Sequence, residues 1–98
     1  MYRQGDILIV PVPEETAPRV VRPEPRDARG RLVLAYGEAT GHCHAIPGPG
    51  TLSGGFLHLP DGGRLVHEEH DAISLPKGCY RVVRQREYVP GSFRVVAD

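Results

Sequence analysis

Hydrophobic residues of this chain fall into short stretches separated by turn residues, and no segment has the spacing of an amphipathic helix. The stretches are rich in Val, Ile, Leu and Tyr, which is typical of β-strands. The pattern predicts an all-β fold, a barrel or sandwich of about seven to eight short strands. The predicted strands are Asp6–Val12, Arg31–Tyr36, His42–Ile46, Gly55–Leu59, Arg64–Glu69, Ala72–Leu75, Tyr80–Tyr88 and Phe93–Val96.

Glycine and proline mark the connections between these strands. Asp61-Gly62-Gly63 predicts a hairpin turn, because glycine adopts positive φ at little cost. Pro76-Lys77-Gly78 predicts a second turn. The segment 11–30 is rich in proline, which removes ladder donors, so it predicts a long exposed loop or an excursion at a sheet edge. We expect one β-domain spanning residues 1–98.

Composition narrows the classes of function. With 98 residues the core is small, so a bound metal or a partner subunit would add useful stability. The formal net charge is zero, which argues against a general nucleic-acid binder. Neither a membrane-spanning apolar run nor a secretory signal is recognisable, so we expect a cytoplasmic protein. A homo-oligomer and a small-molecule substrate both stay open.

Four of the five histidines lie in two short clusters, His42-Cys43-His44 and His67-Glu68-Glu69-His70. Side chains two apart on a strand share a face, so His42 and His44 would point the same way, with Cα atoms roughly 6.6 Å apart. Ile46 continues that phase, which indicates that the face looks inward. Two imidazoles at this spacing can converge on one metal ion.

The second cluster can be phased in the same way. An unbroken strand would place His67 and Glu69 on the face that also carries Leu65 and Ile73. The predicted inward set is then His42, His44, His67 and Glu69, suited to zinc, iron, manganese or nickel. A β-bulge near Glu68 would instead bring His70 inward and give a four-histidine site. Exposed histidines beside a solvated acidic rim are the remaining alternative.

Other polar residues near the clusters have two interpretations each. Glu38, between Gly37 and Gly41, is either a carboxylate that orients a metal-bound imidazole or a turn residue. Cys43 is either a further ligand or redox-sensitive group, or, like Cys79, a reduced and buried thiol, which we favour. His58 stands alone and is not predicted to be a ligand.

The motifs resemble those of the metal-binding cupins, which are small β-barrels. The likeness consists of His42-x-His44 on a strand, a later histidine, and the Pro76-Lys77-Gly78 turn. It implies a metal site that contains His42 and His44. The chain departs from the cupin pattern where Pro47-Gly48-Pro49 occupies the place of a glutamate, and where no histidine follows the turn. The runs Gly-Glu-Ala-Thr-Gly-His-x-His and His-Glu-Glu-His also resemble small uncharacterised bacterial proteins.

The last predicted strands carry a basic face, with Arg84 and Arg86 in phase with Tyr80 and Tyr88. Such a face could hold RNA or a protein partner. It could also pair with the acidic stretch around Glu68, and we favour this pairing. The sequence therefore predicts a metal-binding β-domain with a mononuclear histidine site and leaves open whether it is an enzyme. The alternative is a non-catalytic protein- or RNA-binding module.

Overall fold

A computed structural model describes residues 1–18, 22–37, 41–89 and 92–95, with side chains described as far as residue 85. The described part of the chain is built of strands, as the hydrophobic pattern predicts. In chain order they are β1 (Tyr2–Gln4), β2 (Ile7–Val12), β3 (Leu32–Tyr36), β4 (Cys43–Ile46), β5 (Thr51–Ser53), β6 (Phe56–Leu59), β7 (Gly63–Leu65), β8 (Ile73–Leu75), β9 (Gly78–Arg84), β10 (Arg86–Val89) and β11 (Ser92–Val95). A single turn of 3-10 helix, Glu14–Thr16, follows β2. Among the described residues no helix is long and apolar enough to cross a membrane.

The largest element is a five-stranded antiparallel sheet in the order β1-β2-β9-β6-β5. Smaller antiparallel pairs form from β3 and β4, β7 and β8, and β10 and β11. An isolated bridge between Ala45 and Val66 ties β4 to the chain after β7. The described strands form a sandwich-like arrangement and do not close on themselves, so the sandwich applies and the barrel does not.

The core lies between the five-stranded sheet and the pairs β3–β4 and β7–β8. Residues directly opposite each other on neighbouring strands share a face, so the register Ile9 to Val82 and Leu57 to Tyr80 defines the inner face of the large sheet. Side chains from β3, β4, β7 and β8 close over it. The buried apolar cluster consists of Ile7, Ile9, Leu32, Ile46, Leu52, Leu57, Leu59, Leu65, Leu75 and Tyr80.

The predicted turn at Asp61-Gly62-Gly63 exists, but it has a different role from the one expected. The Asp61-Gly62-Gly63 turn does not close a hairpin, because β6 pairs with β5 and β9 while β7 pairs with β8. The turn instead carries the chain from one sheet to the other. Gly62 has a φ of 76°, and a Cβ built there would lie 2.8 Å from the carbonyl oxygen of Leu75, so this position requires glycine.

The strand predicted over Arg64–Glu69 is shorter than expected. β7 ends at Leu65, Val66 makes the single bridge to Ala45, and residues 68–70 bend away. The proline-rich segment 11–30 starts as the end of β2. Its other described residues, 13–18 and 22–30, are largely exposed, and the Glu24 amide donates to the carbonyl of Leu52 on β5. The candidate site lies where the chain around the bend at 68–70 meets the edge of β4.

Candidate metal centre

The bridge between Ala45 and Val66 brings the two histidine clusters together. The two residues exchange both backbone hydrogen bonds, at 3.0 and 2.9 Å. His44 precedes Ala45 and His67 follows Val66, so antiparallel pairing places their side chains next to each other. Their ring centroids are 4.4 Å apart.

The remaining histidines of the clusters join this pair. The ring of His70 lies 4.6 Å from that of His67 and stacks at 6.1 Å on that of His44. The ring of His42 meets the edge of His67 at 5.6 Å. Among the described residues, no three His, Cys, Asp or Glu side chains are yet arranged to hold a metal ion. The four rings are neighbours, but their nitrogen atoms do not point at one common position. Hydrogen bonds to other groups set the orientation of the rings of His44 and His67.

Gln4 fixes the tautomer of His44. The amide nitrogen of Gln4 donates to the carbonyl oxygens of Leu65 and Asp71, at 3.1 and 3.0 Å. Those two acceptors determine which end of the amide is nitrogen, so its Oε1 is the atom 2.8 Å from Nδ1 of His44. An oxygen can only accept, so Nδ1 carries the hydrogen and Nε2 of the neutral ring presents a lone pair.

That lone pair faces a buried carboxylate. Asp6 and His44 are both fully buried, and Oδ1 of Asp6 lies 3.5 Å from Nε2 of His44. The other oxygen, Oδ2, accepts a hydrogen bond of 2.6 Å from Nε of Arg84. A buried carboxylate needs such a charge-assisted partner, and Arg84 supplies it from β9, the strand that pairs with β2.

His44 stays neutral at physiological pH. Burial is the main cause that lowers its pKa from 6.5 to about 4, and the neighbouring His67 lowers it further. Asp6 opposes this shift, because a carboxylate favours the imidazolium. Since the shift caused by burial dominates, the imidazole of His44 is uncharged at pH 7, and metal ligation requires the uncharged ring.

His67 and His70 are held differently. Nδ1 of His67 accepts from the backbone amides of Glu69, at 3.0 Å, and His70, at 3.4 Å, so the hydrogen of its neutral ring is on Nε2. Nε2 of His67 and Nε2 of His70 are both buried without a hydrogen-bond partner among the described residues. Buried polar atoms in that condition are uncommon, which marks the space between these rings as a place for a further group.

The rim of the cluster differs from the predicted ligand set. The side chain of Glu69 is 65% exposed, 3.9 Å from Nδ1 of His42, so its predicted inward position is wrong. The prediction assumed an unbroken strand as far as Glu69, but β7 ends at Leu65, four residues before Glu69. Glu68 is anchored instead: it accepts from the Cys43 amide at 2.8 Å, and this hydrogen bond lowers the pKa of the Glu68 carboxyl.

The other candidate residues make none of the ring contacts of the histidine cluster or lie outside the described residues. Glu38 falls outside the described residues. Cys43 and Cys79 are buried free thiols, and burial raises the pKa of Cys79. His58 is half-buried on β6 and makes none of the ring contacts of the cluster.

Sequence reasoning missed Gln4, Asp6 and Arg84, which set the chemistry around His44. Gln4 is the last residue of β1, and Asp6 follows Gly5 in the turn to β2, where polar residues are ordinary. No local pattern indicates that both side chains are buried. The sequence predicts that Arg84 belongs to a basic face that pairs with the acidic stretch around Glu68, but its partner is Asp6. The side chains of Arg86 and Tyr88 lie outside the described part, so the rest of that face stays a prediction.

The sequence matches a protein-family model over most of its length. Residues 3–85 match the model described as a domain of unknown function, DUF8820. The matched range includes every residue of the cluster, from Gln4 to Arg84. No curated protein and no solved structure matches the chain.

Proposed function

Because the chain belongs to the DUF8820 family, whose function is unknown, we propose its function from the site itself: it binds a divalent transition metal beside His44. The observation that carries the proposal is the fixed pair of Nε2 of His44 and Oδ1 of Asp6. Gln4 turns the imidazole lone pair toward the carboxylate, and the two atoms lie 3.5 Å apart within the protein interior.

The distance between these two atoms suits a shared ion. With metal bonds of about 2.05 Å to nitrogen and about 2.1 Å to oxygen, a 3.5 Å separation gives an angle of about 115° at the metal. A tetrahedral zinc site requires about 109°. A divalent cation between a neutral imidazole nitrogen and a carboxylate oxygen is attracted to both atoms.

His70 is the best placed third ligand. Its Nε2 is buried without a partner among the described residues, and its ring already stacks on that of His44. His70 lies in the bend at 68–70, where a side-chain rotation does not disturb a strand. His42, at the rim and 24% exposed, or a water molecule would complete four ligands.

His67 supports the site without being a ligand in its present hydrogen bonds. Its Nδ1 lone pair is used by two backbone amides, so ligation through Nε2 would require the loss of the remaining ring proton. The Nε2–H group of His67 instead points a donor into the cluster. It can donate to a negatively charged group bound at the metal, such as hydroxide or a carboxylate.

When bound, a metal with one open position would supply Lewis acidity or activate water or dioxygen. The residues of this chain would bind and orient it: Gln4 holds His44, and Arg84 holds Asp6. Interactions of this kind raise metal affinity 10- to 100-fold in characterised sites. The proposed site therefore combines residues that would ligate the metal with residues that would fix the orientation of those ligands.

The test is the metal content of untagged protein. Full-length chain purified without an affinity tag is analysed by mass spectrometry of the elements, beside His44→Ala and His58→Ala. We expect about one transition-metal ion per chain in wild type and in His58→Ala, and loss of the metal in His44→Ala. His58 is the matched control, because it removes a histidine outside the cluster. Folded wild type that binds no added zinc, iron, manganese or nickel would contradict the proposal.

A further inference from the structure

A groove of about 690 Å³ opens between the large sheet and β3. Ile7, Leu52 and Val82 line it from the large sheet, and Leu34 and Tyr36 line it from β3. Small-molecule sites commonly have volumes of about 300–1,000 Å³ with mostly apolar walls. The size and lining of the groove fit a small ligand with an apolar body.

Tyr36 adds a second feature at the same groove. Its side chain is 67% exposed, which makes it one of the two large hydrophobic residues most exposed among the described residues. An aromatic ring of this kind at the margin of an apolar groove can cover a flat ligand by stacking. The exposed area then becomes buried when the ligand binds.

Arg84 provides the polar end of the groove. It lies opposite Ile7 in the strand register, so its side chain is on the inner face of the large sheet, where it is 32% exposed. Its Nε donates to Asp6, and among the described residues no acceptor is bonded to its two terminal nitrogens. Terminal guanidinium N–H groups form a fork that matches a carboxylate.

The other charged residues of the lining are less suited to recognise a ligand. Arg26 donates to the carbonyl oxygens of Gly30 and Gly50, and Asp27 is paired with Arg31 at 2.8 Å. Glu24 is exposed on the proline-rich segment. Of the two arginines that line the groove in the described part of the chain, Arg84 is therefore the one with both terminal nitrogens left for a ligand.

We infer that this groove binds a small organic carboxylate with an aromatic or apolar body, whose carboxylate is held by the terminal nitrogens of Arg84. The apolar walls hold the body, and the guanidinium fixes its orientation. This inference goes beyond the proposed metal site and does not require a metal. Because Arg84 also holds Asp6, the carboxylate would sit next to the residues that surround His44.

The probe is 2-naphthoate, with 2-naphthamide as its neutral counterpart of the same shape. Binding of each to the full chain is measured by isothermal titration calorimetry in buffer with EDTA. We expect naphthoate to bind at least tenfold more tightly than naphthamide, because the carboxylate accepts two charge-assisted hydrogen bonds. Arg84→Met should abolish that preference. Arg81→Met, an exposed arginine on the same strand whose side chain faces outward, should retain it.

Leu34→Trp keeps the test decisive if Arg84→Met does not fold. It fills the groove from β3 and leaves the bond between Arg84 and Asp6 in place, so it should abolish naphthoate binding. Naphthoate that does not bind, binds no better than naphthamide, or binds Leu34→Trp unchanged would overturn the inference. Since the titration contains EDTA, these outcomes are independent of whether the chain binds a metal.

Discussion

Acidification tests the environment of His44 directly. Its pKa is about 4 in the folded protein and 6.5 as a free side chain. Between these two values the unfolded state binds more protons than the folded state, so stability is highest above pH 6.5 and falls as the pH falls toward 4. Each pKa unit corresponds to about 1.4 kcal/mol, so the complete effect is about 3 kcal/mol.

Most of that loss occurs within an accessible range. Two-state linkage with these pKa values gives about 2 kcal/mol of lost stability between pH 7 and pH 5, which is a large part of the stability of a domain this small. The groups that face His44 are Asp6, His67, His70 and Arg84, and their charges are already among the causes of the shift. The effect should therefore disappear when His44 is replaced by a residue that does not titrate.

Urea denaturation from pH 7 to pH 5, in EDTA, measures this dependence. Wild type and His58→Gln should lose stability in parallel, while His44→Gln should have a curve flatter by about 2 kcal/mol over the same range. The comparison uses slopes, so a constant destabilisation by either substitution does not matter. Parallel curves for wild type and His44→Gln would refute the reasoning that His44 is buried in its neutral form.

Two further substitutions test single contacts. Gln4→Leu leaves the carbonyl oxygens of Leu65 and Asp71 without their donor, so we expect the free energy of unfolding, measured in urea, to fall by about 1–3 kcal/mol. We also expect at least tenfold weaker zinc binding. Unchanged zinc affinity would contradict the role of Gln4 in orienting His44. Gly62→Ala places a Cβ against the carbonyl of Leu75 at positive φ, so we expect the free energy of unfolding, measured in urea, to fall by more than about 1 kcal/mol. Unchanged stability would contradict the conformation of this turn.

Most of the fold can be predicted from the sequence because the strands are short and apolar with turn residues between them. β2, β3, β4 and β6 occur within a residue of their predicted starts. β1 and β5 were missed, since three-residue strands such as Tyr2–Gln4 have no distinct alternation. The pairing of the strands is set by contacts between distant residues, which explains why the turn at Gly62 joins two sheets and not two paired strands.

The histidine cluster was partly predictable for the same reason. Strand alternation predicts His42, just before β4, and His44 on one side, and both rings contact that of His67. The phase beyond Leu65 could not be predicted, because β7 ends where no glycine or proline marks its end. The chain then bends, which brings His70 to the cluster and exposes Glu69.

Cobalt(II) spectroscopy of the metal-free protein tests the central claim most directly. Four-coordinate cobalt bound by imidazole and carboxylate absorbs visible light far more strongly than the hydrated ion, so the spectrum reports both binding and geometry. We predict an intense visible band that saturates at one ion per chain, is lost in His44→Ala and in Asp6→Asn, and persists in His58→Ala. A wild-type spectrum identical to that of hydrated cobalt, or a band unchanged in His44→Ala, would contradict the account.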